Sequence, residues 1–398
     1  MNEATLAFIR QNADADVRQL ALRGTKDPAV DLAFALDQIA GRQTARRKLP
    51  IWAATEGIVY PPRLSMEQCS SEPTARYKQQ LAGRESDNRR MVDLTGGFGV
   101  DFSFMARSFG KAVYVERQAS LCAIARENFS QLSLPQAEVV CADAEAYLRQ
   151  MAPADLIYID PARRDSHGGR TYAISDCTPD VLALRDLLMA KGRRVLIKLS
   201  PMLDWRKAVA DLGEQYVREV HIVSVGNECK ELLVVMEAEP TPAPSPREGR
   251  LVCVNDDSCF EVALPISCES PLPWGGVGGG LLYEPNASIM KAGCFAEVAR
   301  CFGVSPIAHD SHLFVLDDVV AGFPGRTFRI EAVTSLNKRD LKAALRDLKQ
   351  ANISVRNFPL TVAELRRRLK LSEGGSTYIF ATTLANGDRV LLLCRKSV

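Results

Sequence analysis

Met91-Val92-Asp93-Leu94-Thr95-Gly96-Gly97-Phe98-Gly99-Val100-Asp101 decides how this chain reads. The apolar run up to Leu94 predicts a strand, the glycines a sharp turn, and the residues after them the start of a helix. Glycines placed directly after a strand let the backbone turn and approach a ligand without interference from a Cβ. An acid at the strand end, here Asp93, can accept hydrogen bonds from an amine or from hydroxyls. The spacing is not G-x-G-x-x-G, and no G-x-x-x-x-G-K-[ST] occurs in the chain, so nicotinamide dinucleotides and nucleoside triphosphates both lose support as ligands.

Outward from this stretch, short apolar runs alternate with amphipathic ones. Strands are expected at 90–94, 112–115, 138–141, 155–159, 194–199, 219–225 and 232–237, with helices at 102–109, 119–132, 144–151, 179–190 and 202–212. That alternation implies a parallel sheet covered on both faces. The last two strands have no helix between them and predict an antiparallel hairpin at one edge. Before the sheet, residues 4–22 and 29–47 carry helical periodicity. After it, the proline run at 239–246 reads as a connector. Beyond the connector come a hairpin at 250–264, a glycine-rich loop at 274–280, and a tail expected as strand 327–333, helix 338–350, extended 353–355, helix 361–369 and strands 376–385 and 389–394.

The expected organisation is therefore α/β: an N-terminal helical region (1–65), a Rossmann-like sheet domain (66–239), a Pro-rich linker (240–250), a small α+β domain with ferredoxin-like as one reading (251–325), and a basic domain (326–398). Composition agrees with a globular protein of two or three domains: 398 residues, 46% apolar and 25% charged. No run approaches the roughly 18 apolar residues that cross a bilayer, so a cytoplasmic protein without a membrane is expected. Eleven cysteines without a Cys-x-x-Cys pair suggest reduced thiols. Four histidines, two of them in His309-Asp310-Ser311-His312, leave no third ligand at metal-binding spacing. A Ser-His-Asp triad lacks its G-x-S-x-G elbow.

The net charge of +2 hides an asymmetry. From Arg326 onward there are 15 Lys+Arg against 6 Asp+Glu, which leaves 35 against 42 before it, so the last 73 residues are +9 and the rest −7. A basic module on an acidic body suits a polyanionic partner, although a solvated charged surface has the same composition.

The glycine stretch resembles the first motif of class I S-adenosylmethionine-dependent methyltransferases, an acid followed by spaced glycines. Thr95 stands where the first glycine usually is, while Gly97 and Gly99 fit. The resemblance places the cofactor on Asp93, Thr95, Gly97 and Gly99. About 20 residues on, Glu116 ends the second strand where a ribose diol would lie. At the third strand end, the resemblance gives Asp143 the exocyclic amine of adenine; an acid at a helix start is also a good N-cap. Asp160-Pro161, after the fourth strand, looks like the motif that amine-directed nucleic-acid methyltransferases place beside the transferring methyl. Those enzymes follow it with a second proline and an aromatic ring, whereas this chain has Ala162-Arg163-Arg164. Arg163 and Arg164 could grip phosphate or stack on a base.

The whole chain resembles the bacterial methyltransferases that carry a C-terminal THUMP-like domain, on Ser65 to Lys78, Asp93 to Asp101, Ile159 to Arg164, Leu282 to Asn286, Met290 to Gly293, Phe323 to Arg326 and Asn357 to Leu360 through Leu393. THUMP domains are RNA-binding modules, so the resemblance implies an RNA substrate, tRNA or rRNA, methylated at an exocyclic amine. Transfer to a protein or a small molecule, and a cofactor-retaining module without turnover, are the competing readings. The oligomeric state is not legible in the sequence.

Overall fold

The computed structural model describes residues 2–84, 89–163, 174–237, 249–266 and 280–397. The Pro-rich connector, apart from its last two residues, and the glycine-rich loop, apart from Gly280, lie outside them. The chain divides into two compact units, Met1–Val220 with Lys230–Arg247, and His221–Cys229 with Glu248–Val398.

The first unit is built on strands β1 (Arg90–Asp93), β2 (Lys111–Glu116), β3 (Ala137–Cys141), β4 (Ala154–Ile159), β5 (Gly192–Leu199), β6 (Val217–Val225) and β7 (Glu228–Glu237), in the order β6-β7-β5-β4-β1-β2-β3. β1 to β5 are parallel. Val92, Val113, Ile157 and Val195 have no exposed surface, as expected of strands covered on both faces. β7 runs antiparallel to β5, from Arg194↔Glu237 to Leu199↔Leu232, so the second strand of the hairpin docks inward. The tip of that hairpin belongs to the second unit.

The helices of this unit are α1 (Glu3–Gln11), α2 (Val17–Arg23), α3 (Leu32–Lys48), α4 (Pro50–Ala54), α5 (Arg63–Gln68), α6 (Glu72–Ala82), α7 (Val100–Met105), α8 (Ala119–Gln131), α9 (Ala144–Gln150), α10 (Val181–Lys191) and α11 (Trp205–Leu212). The expected helix at 4–22 is two helices, because Asp16 leaves the helical conformation to accept the Arg18 and Gln19 N–H groups as an N-cap. The helix expected at 102–109 starts earlier, at Val100, and ends in a single 3-10 turn at Ala106–Ser108.

Besides His221–Cys229, the second unit contains the hairpin β8 (Arg250–Asn255) and β9 (Ser258–Ala263). Its main sheet comprises β10 (Leu281–Pro285), β11 (Phe314–Leu316), β12 (Gly325–Ser335), β13 (Asn352–Arg356), β14 (Thr377–Thr383) and β15 (Arg389–Lys396). The order is β11-β10-β12-β15-β14-β13, with the short Ser305–Pro306 outside β11. Helices α12 (Ala287–Ala292), α13 (Phe295–Phe302), α14 (Lys338–Ala344) and α15 (Val362–Leu369) accompany it. Phe328, Phe380 and Leu392 form one core, and Leu365, Leu369, Ile379 and Leu391 another. The helix expected at 338–350 stops at Ala344, because residues 349–351 are recruited to backbone bonds with Ser372. Glu284, 3% exposed, accepts from both Arg326 and Arg356.

Candidate active site

The turn after β1 has the shape its glycines allow. Gly97 and Gly99 take φ of +55° and +86°, a region that favours glycine. A Cβ on Gly96 would lie 2.2 Å from the Tyr114 ring, so the loop can approach β2 this closely only without a side chain. Tyr114 donates from its hydroxyl to the Gly97 carbonyl at 2.5 Å, and the Gly97 N–H donates to Glu116 Oε2 at 3.0 Å. Glu116 Oε1 accepts the Gln118 N–H at 2.9 Å. The strand-end glutamate and the glycine turn therefore form one rigid piece.

The N-terminal helices buttress this piece. Trp52, fully buried, packs edge-on to Phe98 with ring centroids 4.7 Å apart. Gln38 and Tyr60 exchange two side chain to backbone hydrogen bonds of 2.8 Å, and Asn128 of α8 does the same with Val59.

Asp93 is buried, and its Oδ1 accepts the Thr95 N–H at 2.9 Å. Burial pushes its carboxyl well above the usual range; the Thr95 bond opposes this, while Asp101, Asp160 and Glu116 add to it. Thr95 Oγ1 in turn accepts the Asp160 N–H at 2.7 Å, tying the turn after β1 to the end of β4. The threonine in place of the first glycine thus has a structural use.

Behind these residues lies a network of charge that sequence reasoning missed. Lys78 of α6, with no exposed surface, donates to both oxygens of Glu231 at 2.6 Å and to Ser70 Oγ at 3.2 Å, and lies 3.2 Å from Asp101 Oδ1. Asp101 Oδ2 accepts from Ser70 and Tyr158 hydroxyls, each at 2.8 Å. Burial alone would raise the Asp101 carboxyl; Lys78 and Lys198 outweigh it and bring it down to about 2. Lys198, near the end of β5, donates to Asp160 Oδ2 at 2.6 Å and lies 3.6 Å from Asp101 Oδ2. Its ammonium is raised above its ordinary value: burial lowers it, and the carboxylates of Asp160 and Asp101 more than reverse that.

The turn thus brings Asp93, Thr95, Gly97, Gly99, Glu116 and Asp160 to one edge of the sheet, where ligands of open α/β folds bind. Pro161 is buried. Asp143 is exposed, and its Oδ1 caps α9 through the Glu145 and Ala146 N–H groups at 3.0 Å. Arg163 pairs through its backbone with Cys177. Its side chain and the whole of Arg164 lie outside the described residues. Ser71 occupies the N-cap position of α6, but its hydroxyl meets Thr74 Oγ1 at 3.3 Å rather than a backbone N–H.

The missed lysines had a faint signal. Lys198 interrupts the apolar run Val195-Leu196-Ile197, at the strand end beside Asp160, and Lys78 sits on the helix face that buries Ala75 and Leu81. Neither position marks itself as buried before the sheet is assembled.

A crystal structure of a candidate methyltransferase from Porphyromonas gingivalis W83 matches with a TM-score of 0.87 and 33% identity, over 99% of this chain and 98% of that one. The chain belongs to this family of class I methyltransferases with a C-terminal THUMP-like domain. Family models match three segments: THUMP domain-like at residues 325–396, a ferredoxin-like domain at 281–324, and protein-L-isoaspartate(D-aspartate) O-methyltransferase at 60–165. A candidate methyltransferase from Streptococcus mutans, solved with S-adenosylhomocysteine, matches at 16% identity over 42% of this chain and 99% of that one, with a TM-score of 0.32. An rRNA methylase from Streptococcus thermophilus matches at 17% identity over 42% and 98%, also with a TM-score of 0.32. No curated protein matches the chain.

No helix of the described residues is long and apolar enough to cross a membrane, and among them no group of three or more His, Cys, Asp or Glu is placed to hold a metal ion.

Proposed function

We propose that this protein is an S-adenosylmethionine-dependent methyltransferase acting on RNA. One observation carries the cofactor: the glycine turn held by Glu116 and tied through Thr95 to Asp93 and to the Asp160 backbone. Such a rim suits a ligand that bears cationic centres and presents a ribose, and the cradle has no room for a Cβ at Gly96. When bound, S-adenosylmethionine supplies an electrophilic methyl on a cationic sulfur. Glu116 would hold the ribose hydroxyls, Asp143 the adenine amine, and Gly97 with Gly99 would let backbone approach. Asp93 keeps the turn closed through Thr95.

RNA is supported by the THUMP domain-like match and by the +9 balance of the same segment. Arg367, Arg368 and Lys370, on α15 and at its end, are exposed there. A protein carboxylate, as the isoaspartate match would suggest, is the competing acceptor, and the transfer assay separates the two. An Asp-Pro turn by itself suits an exocyclic amine, but the acceptor atom depends on the charge around Asp160.

Calorimetry with S-adenosylmethionine and S-adenosylhomocysteine tests the pocket. Transfer of labelled methyl to total RNA, with a ribonuclease-treated control, tests the substrate. A protein that binds neither nucleoside is not this enzyme; one that binds both but labels protein or small molecules instead has another acceptor.

A further inference from the structure

We infer that the methyl acceptor is a hydroxyl, the ribose 2′-hydroxyl of RNA, and that Lys198 is a catalytic residue that serves it. The inference rests on the proposed cofactor and RNA reading, and it departs from the exocyclic amine that the Asp160-Pro161 motif suggests.

The argument begins with the hydrogens of Lys198. Its ammonium donates to Asp160 Oδ2 at 2.6 Å, and its next neighbour, Asp101 Oδ2, is 3.6 Å away. An ammonium has three hydrogens, and the third has no partner among the described residues. Asp160 is in the complementary condition: Oδ2 is taken by Lys198, Oδ1 accepts nothing among the described residues, and 38% of its side chain is exposed. One spare donor and one spare acceptor therefore stand on adjacent strand ends. A hydroxyl needs both, because it offers one hydrogen and two lone pairs, whereas an exocyclic amine uses an acceptor alone.

Charge decides in the same direction. As an amine nitrogen bonds to the methyl it becomes positive, and a neighbouring ammonium opposes that. With a hydroxyl, the oxygen forms a bond to the methyl carbon, the carbon–sulfur bond breaks, and its electron pair stays on sulfur, which becomes neutral. The hydroxyl proton passes to Asp160 Oδ1 and then to water. The proton leaves as the bond to carbon forms, so the attacking oxygen carries partial negative rather than positive charge, and Asp160 Oδ1 is the acceptor within reach. Lys198 holds the other lone pair and stabilises negative charge on the oxygen as the proton leaves. Lys78, itself paired with Glu231, holds Asp101, the second anion beside Lys198, so the cation is fixed from behind. Finally, Ala162 and Arg163 follow Asp160-Pro161, with no aromatic ring there on which a target base would stack.

The test uses RNA methylated by the full chain with labelled S-adenosylmethionine, then hydrolysed in alkali. A methyl on the 2′-oxygen blocks its attack on the adjacent phosphate, so the label is expected in alkali-stable dinucleotides. Label in mononucleotides carrying a methylated base overturns the inference while leaving the RNA methyltransferase reading intact; no label in RNA overturns both. A second readout needs no turnover. Lys198→Met removes a positive charge near the sulfonium and should raise the preference for S-adenosylmethionine over S-adenosylhomocysteine about tenfold, whereas Lys198→Arg should leave it near the wild-type ratio. Transfer should fall about 100-fold or more in Lys198→Met. An unchanged binding ratio together with undiminished transfer would place Lys198 outside the site and defeat the proposal.

Discussion

Lys78 Nζ lies 2.6 Å from both carboxylate oxygens of Glu231, joining the helix before the sheet to β7 across 153 residues of chain. Both side chains are almost wholly buried. Removing one member of such a pair leaves an uncompensated charge, so Lys78→Met should cost about 3–5 kcal/mol. Replacing both with apolar residues of similar volume should recover much of that. Urea unfolding of the three variants checks the ordering.

Asp101 supplies a pH dependence. Its folded value of about 2 lies below the unfolded value of about 3.9, so its contribution is present above about pH 4 and is lost as pH falls toward about 2. The amount is about 2 kcal/mol. Asp101→Asn should flatten the stability profile across that window and lower stability at neutral pH, read from unfolding curves between pH 2 and 7.

Gly96→Ala would drive a methyl to within 2.2 Å of the Tyr114 ring. Overpacking of this kind costs about 1–3 kcal/mol, and the turn must move to relieve it. Cofactor affinity measured by calorimetry should fall by about tenfold or more. Affinity unchanged in a folded variant would mean that the turn does not contact the cofactor.

Asp143 caps α9, and the proposed adenine contact can be separated from that role. Asp143→Ser retains an N-cap for α9, whereas Asp143→Ala loses it at about 1 kcal/mol. If the carboxylate also meets the adenine amine, both variants should bind cofactor more weakly while only the alanine variant melts lower.

The exposed arginines of α15 carry the docking prediction. Arg367→Ala with Arg368→Ala should reduce the slope of log affinity for single-stranded RNA against log salt by about 1.4, with cofactor binding untouched. Filter binding across a salt series gives the slope directly.

The alternating strands and helices of residues 90–237 were legible because their period is local: a run such as Leu156-Ile157-Tyr158-Ile159 can be buried on both faces only inside a sheet. Breaks were less legible where side chains compete for the backbone, as Asp16 does at the start of α2. Of the candidate site, Asp93, Thr95, Gly97, Gly99, Glu116 and Asp160 were legible as candidates, since each stands at a strand end or in the turn just after one. The partner of Asp160 did not, because Lys198 reads as an ordinary polar end to an apolar run until β4 and β5 lie side by side.

Sequence by itself determined the glycine turn, the strand-end acids, the basic tail and the family resemblance, for these depend on residue type at short spacing. Only the tertiary structure decided that Lys78, Glu231, Asp101, Lys198 and Asp160 form one chain of alternating charge, with Thr95 closing it onto the glycine turn. Charges so far apart in sequence acquire their strength from shared burial, and burial exists only once the strands have been placed.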